Sequence, residues 1–112
     1  IVVLRSWIAG IATVEDAKAL GIRFIYHTAD SRRSEIGYPD LTLLHNGQGL
    51  AIECKSQFDR TDRDTKGRAR RLAQEAWLAQ FALIPGFEAF MFRPSDYLNG
   101  RVFAALRVLV QT

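Results

Sequence analysis

Few of the residues that define specialised classes of protein occur in this sequence of 112 residues. A single cysteine excludes an internal disulfide framework and is typical of a reducing, intracellular compartment such as the cytoplasm. No run of eighteen apolar residues occurs, so the sequence predicts no membrane span and no membrane partner. No internal repeat or linker divides the chain, and we therefore expect one domain that covers residues 1–112.

The composition that remains is that of a mildly basic globular protein. Apolar residues make up 48% of the chain and charged residues 24%, which are ordinary proportions for a globular domain. The formal net charge of +3 favours a polyanion as partner. Composition alone does not identify that polyanion.

A β-hairpin in residues 37–55 is the strongest structural signal in the sequence. An Asn-Gly pair at positions 46–47 lies between two apolar runs, which predicts a two-residue turn. On the returning strand, Glu53 and Lys55 share one face because strand side chains alternate. The partner strand begins at Asp40, so the hairpin is expected to bring two carboxylates and one amine together.

This group of side chains predicts a site for a hard divalent cation. Two neighbouring carboxylates repel each other, and Mg²⁺ or Mn²⁺ would relieve the repulsion through oxygen ligands. We expect Asp40, Glu53 and the main-chain carbonyl of Cys54 to be the ligands. Lys55 could orient or deprotonate a water, or offset charge on a phosphoryl group. A hairpin edge with a surface Glu-Lys pair is the structural alternative.

The remaining elements predict an α/β fold with a mixed sheet flanked by helices on both faces. The expected strands are 22–27, 40–45, 50–56 and 87–93, and the expected helices are 1–20, 67–84 and 102–110. Gly10 and Thr13 leave open whether the first helix is single and bent or is interrupted. The last helix has a strand as its alternative.

Two of these elements carry expectations about their position. Strand 87–93 is apolar on both faces, which predicts an interior place in the sheet. Helix 67–84 shows an apolar stripe, and Gln74 is expected to face away from it. The stripe comprises Leu72, Ala76, Ala79 and Leu83.

Two basic segments are candidates for contact with phosphate groups. The first is the polar loop 28–38, which leads to Asp40 and follows His27, a residue placed to reach a phosphate or a metal-bound water. Its expected phosphate ligands are Ser31, Arg32, Arg33 and Ser34. The second segment lies at the start of helix 67–84, where a solubilising role is an equal alternative. Its members are Lys66, Arg68, Arg70 and Arg71.

The sequence resembles the PD-(D/E)XK nuclease signature at Gly37-Tyr38-Pro39-Asp40 and Glu53-Cys54-Lys55. The flanks Tyr26-His27-Thr28, Asp30-Ser31-Arg32-Arg33-Ser34 and Gln74-x-x-Trp77-Leu78 are similar to its VRR-NUC branch, in particular to small stand-alone members from phages and bacteria. The resemblance extends over residues 17–97.

The resemblance implies a Mg²⁺- or Mn²⁺-dependent endonuclease that hydrolyses DNA, with Asp40, Glu53 and Lys55 as catalytic core. It also implies that Gln74 approaches the metal or the phosphate, and that a homodimer could address two strands of a flap or branched DNA. Many such nucleases carry a further acidic ligand on the first helix. Here that ligand lies upstream of the sequence, is replaced by Glu15, or is absent. A DNA-binding module without catalysis and a nuclease acting on RNA are the alternative functions.

Overall fold

The protein is an α/β sheet structure with helices on both faces. A computed structural model describes residues 6–28, 35–57 and 65–111. In chain order the elements are α1 (Ser6–Ala19), β1 (Phe24–His27), β2 (Leu41–His45), β3 (Gln48–Cys54), α2 (Thr65–Ala82), β4 (Phe87–Phe92), α3 (Pro94–Leu98) and α4 (Arg101–Val110). The sheet order is β1-β2-β3-β4, with antiparallel pairs except for the parallel pair of β3 and β4. The predicted mixed sheet of four strands is therefore confirmed.

The predicted hairpin forms around a two-residue turn. Asn46 and Gly47 both have positive φ angles, 51° and 79°, as a type I′ turn requires. His45 pairs with Gln48 immediately outside the turn, and Leu41 pairs with Ile52 at the other end. This register fixes which residues of the two strands lie side by side on each face.

The apolar face of the hairpin forms the centre of the core. Leu41, Leu43, Leu50 and Ile52 are at most 3% exposed and pack with Ala17 of α1. Helix α4 covers the same face through Val102, Leu106 and Leu109. Each fully buried leucine or isoleucine contributes roughly 1.5–3 kcal/mol to this packing. We call this the core face of the sheet; the other is the α2 face, because α2 packs against β3 and β4 there.

Helix α1 is one continuous helix. It includes Gly10 and Thr13, the two residues at which the sequence left an interruption open. The hydroxyl of Thr13 donates a 2.7 Å hydrogen bond to the carbonyl of Ala9, one turn earlier, and therefore does not cap a new helix. A Cβ atom on Gly10 would lie 3.7 Å from the sulfur of Cys54, so the helix passes close over the end of β3. The last element, α4, is a helix as expected.

The predicted apolar stripe of α2 is wrong. Leu72 and Leu83 are 59% and 74% exposed, and Ala76 and Ala79 are also exposed. Gln74 instead is buried, at 8% exposure, on the side that faces the sheet. The helix presents this side to the sheet because its half-buried aromatic residues, Trp77 and Phe81, pack there together with Gln74.

The predicted interior position of β4 is also wrong, because β4 is an edge strand among the elements that the structure describes. Its apolar residues on both faces are explained by helices rather than by a further strand. Phe87 lies 5.5 Å from Phe81 of α2, measured between ring centroids. Phe90 and Phe92 stack at 4.9 Å on the core face.

Among the residues that the structure describes, none of the helices combines the length and the apolar character that a membrane span needs.

Candidate active site

Asp40 and Glu53 lie next to each other on the α2 face of the hairpin. The register pairs Leu41 with Ile52, so the preceding Asp40 lies opposite Glu53. An oxygen of the Asp40 carboxylate, Oδ2, accepts a 2.7 Å hydrogen bond from the main-chain N–H of Cys54. Glu53 is only 4% exposed. The structure thus brings the two predicted carboxylates together in a poorly hydrated position.

Burial raises the pKa of Glu53 to about 9, and both a hydrogen bond with Asp40 and the charge of Asp40 add to the rise. The positive charge of Lys55 acts in the opposite direction. In the metal-free protein this shift favours the protonated form of Glu53. Its Oε2 atom is buried and has no hydrogen-bond partner among the described residues.

Lys55 is buried beside the carboxylates and is held by α2. Its Nζ donates a short hydrogen bond to Oε1 of Gln74, and both side chains are under 10% exposed. The main-chain N–H of Lys55 donates to the carbonyl of Phe92 at 2.8 Å, which extends the pairing of β3 with β4 past Cys54. The amine is thus fixed from the strand and from the helix.

Gly37, which the sequence analysis named only as part of the signature, sets the distance between α2 and the hairpin. Gly37 has a φ of 86°, and a Cβ atom there would lie 2.5 Å from the carbonyl carbon of Ala73 and 2.6 Å from the nitrogen of Gln74. Trp77 secures the same contact, because its ring N–H donates to the carbonyl of Ile36 at 3.2 Å. The segment before Asp40 therefore rests directly on the turn of α2 that carries Gln74.

Thr28 holds the start of the strand that carries Asp40, a role that the sequence analysis did not assign to it. Its N–H donates to the carbonyl of Asp40 at 2.8 Å, and its hydroxyl donates to the carbonyl of Pro39 at 2.9 Å. The neighbouring His27 had been considered as a contact to a phosphate or a metal-bound water, with a structural role as its alternative. It pairs with Leu41 and is therefore directed to the core-face side. The structure does not bring His27 to the carboxylates. The sequence feature that could have predicted this role for Thr28 is its place in the Tyr26-His27-Thr28 segment.

The basic segment at the start of α2 lies one to two turns before Gln74. Lys66, Arg68 and Arg70 are exposed, whereas Arg71 is half-buried with its Nε 3.7 Å from a carboxylate oxygen of Glu75. The segment is thus on the helix that reaches the site. The other predicted phosphate ligands lie outside the described residues; these are Ser31, Arg32, Arg33 and Ser34.

The structure does not bring Glu15 to the carboxylates. Its side chain is 68% exposed and lies 3.8 Å from Nζ of Lys18 on α1, which packs on the core face. Cys54 also has no role as a nucleophile, since burial, and then the charges of Asp40 and Glu53, raise the pKa of its thiol to about 12.

The donor set that remains suits Mg²⁺ or Mn²⁺. Such ions are commonly bound by one or two carboxylates while water and substrate phosphate fill the other positions. Asp40, Glu53 and the carbonyl of Cys54 would hold the ion, and the buried Oε2 of Glu53 is available as a ligand atom. No group of three or more His, Cys, Asp or Glu side chains suited to a metal occurs in 6–28, 35–57 or 65–111.

Comparison with protein-family models, with curated proteins and with solved structures gave no match to this chain.

Proposed function

We propose that this protein is a metal-dependent nuclease that hydrolyses phosphodiester bonds of DNA, built on the PD-(D/E)XK plan of the VRR-NUC branch. The observation that carries the proposal is the group formed by the half-buried Asp40 and the buried Glu53 and Lys55, with Gln74 bound to the lysine amine. Two carboxylates in hydrogen-bond contact serve little structural purpose, because burying them costs stability. Asp40, Glu53 and Lys55, which meet here, are also the residues that carry the resemblance.

The chemistry divides between the ion and the protein. When bound, Mg²⁺ or Mn²⁺ supplies a Lewis acid for a phosphoryl oxygen and a water of lowered pKa. Asp40 and Glu53 provide the negative charge that holds the ion. Lys55, fixed by Gln74, presents its amine to the charge that develops on the phosphoryl oxygens or to the attacking water. The basic first turns of α2 would bind the DNA backbone.

Cleavage by Asp40 and Lys55 variants tests the proposal. Linear, flap and junction DNAs, and the equivalent RNAs, are incubated with saturating protein in Mn²⁺ or in chelator under single-turnover conditions. Lys55→Met should lower the cleavage rate about 10²–10⁴-fold with little change in DNA affinity. Asp40→Asn should abolish metal-dependent cleavage. Lys18→Met, on α1, is the matched control and should cut at the wild-type rate.

A folded Asp40→Asn protein that cuts as the wild type does would remove the carboxylates from the mechanism. Equal loss of rate and affinity in Lys55→Met would make Lys55 a phosphate contact only. Cleavage of RNA but not DNA would reassign the substrate class.

A DNA-binding module without catalysis is the second candidate. It is favoured because Glu15, the candidate for an additional acidic ligand on the first helix, is exposed beside Lys18 and does not reach the carboxylates. Isothermal titration with Mn²⁺ separates the two functions. A nuclease should bind the ion through Asp40 and Glu53, whereas a binding module should bind DNA in chelator and give no heat with Mn²⁺.

A further inference from the structure

An aromatic surface on the α2 face of the sheet lies beside the carboxylates and is open to solvent. Helix α2 packs over β3 and β4, whereas on β1 and β2 Phe24 is 70% exposed, Tyr26 61% and Leu44 45%. The register pairs Phe24 with Leu44 and Tyr26 with Thr42, so these four side chains share one face. Together with Arg23 they line an open groove of about 310 Å³. We call this groove the β1–β2 groove.

The β1–β2 groove lies on the same face of the sheet as the candidate active site. Tyr26 pairs with Thr42, and Asp40 lies two residues before Thr42 on the same face. Two residues along a strand span about 6.8 Å, whereas successive stacked bases of one DNA strand are about 3.4 Å apart. A strand that runs from a phosphate at Asp40 along β2 toward the turn would therefore reach Tyr26 within one or two nucleotides.

The chemistry of the groove fits a nucleotide. Two exposed aromatic rings two residues apart offer stacking surfaces to bases of any sequence. The guanidinium of Arg23 at the edge of the groove suits a phosphate. Thr42 also lines the groove, and its hydroxyl oxygen is buried and has no hydrogen-bond partner in the described part of the chain.

We propose that the β1–β2 groove is a subsite for unpaired nucleobases of the strand that is cut. The proposal rests on the proposed function, since it places these bases one or two nucleotides from the phosphate at Asp40. A base inside a duplex is stacked on both of its faces and reaches Tyr26 only after it leaves the stack. The subsite thus selects DNA with a single-stranded arm at the cleavage position over continuous duplex.

Binding is measured in chelator, where the proposed nuclease does not cut. The probe is a duplex with a single-stranded arm that carries 2-aminopurine one or two nucleotides from the junction, and the reference is a fully paired duplex. Base stacking should quench the fluorophore, and Tyr26→Ala should weaken binding of the arm about 5- to 150-fold while duplex affinity stays unchanged. Phe24→Ala should act in the same direction, and Tyr26→Phe should bind as the wild type. Phe103→Ala, an exposed aromatic on α4, is the control.

Wild-type affinity of Tyr26→Ala and Phe24→Ala for the arm would overturn the proposal, as would an equal loss of arm and duplex binding. Wild-type protein that sediments as a dimer, with Tyr26→Ala as monomer, would assign the groove to a second copy of the chain. Cleavage assays in Mn²⁺ with the wild type and the same variants distinguish the two proposals. Absent cleavage by the wild type, together with a selective loss of arm binding in the variants, refutes the nuclease but keeps the groove as a nucleobase-binding surface. Normal cleavage with an unchanged preference for the arm refutes the subsite but keeps the nuclease.

Discussion

Replacing Glu53 by glutamine should stabilise the metal-free protein, and increasingly so as the pH rises. The folded state raises the pKa of Glu53 to about 9 from an unperturbed value of 4.5. Between these values the folded protein holds a proton that the unfolded chain has released. A raised pKa contributes stability that is full below the unfolded value and is lost as pH rises toward the folded value.

The magnitude follows from that single proton. Each pH unit in this window lowers the free energy of unfolding by about 1.4 kcal/mol, so the step from pH 6 to pH 8 costs about 3 kcal/mol. A glutamine side chain cannot titrate, and this loss should therefore be absent from the Glu53→Gln variant. Groups far from Glu53 are present in both proteins, and their contributions cancel in the difference.

Urea denaturation in chelator at pH 6, 7 and 8, followed by tryptophan fluorescence, measures this difference. Glu88→Gln, an exposed glutamate of β4, is the matched control and should keep the wild-type pH slope. Mn²⁺ at about 100 times its dissociation constant should stabilise wild type by about 2.7 kcal/mol and should stabilise the Glu53→Gln variant less. Parallel pH slopes for wild type and Glu53→Gln would refute the reasoning, since Glu53 would then be ionised in the fold.

Two further substitutions test how α2 is placed against the site. Gly37→Ala should cost about 1–3 kcal/mol through the clash with Ala73 and Gln74, beyond the backbone strain of a positive φ. Gly47→Ala, where φ is 79° and nothing lies within 4 Å, carries the strain alone, and equal urea midpoints of the two variants would contradict the clash. Gln74→Leu removes an acceptor of the buried Lys55 amine and should slow single-turnover cleavage about 10- to 100-fold with a shifted pH profile. Gln80→Leu, exposed on the same helix, should change neither, and a Gln74→Leu profile that matches it would exclude a positioning role for Gln74.

Much of the sheet could be predicted because its signals are local. The Asn-Gly turn and the alternation of β3 need only neighbouring residues, and they fixed the register that places Asp40 opposite Glu53. The orientation of α2 could not be read in this way. Leu72 and Leu83 share one face of the helix, but such a pattern does not state which face meets the sheet, and the structure leaves both residues exposed.

The sequence by itself determined the hairpin, the shared face of Glu53 and Lys55, and the residue types that suit a divalent ion. These follow from turn chemistry and from the two-residue period of a strand. Only the tertiary structure decided that Gln74 meets Lys55, that Gly37 sets the approach of α2, and that burial raises the pKa of Glu53. The physical reason is that burial and pKa depend on which distant element covers a residue, and those contacts are formed between segments far apart in the chain.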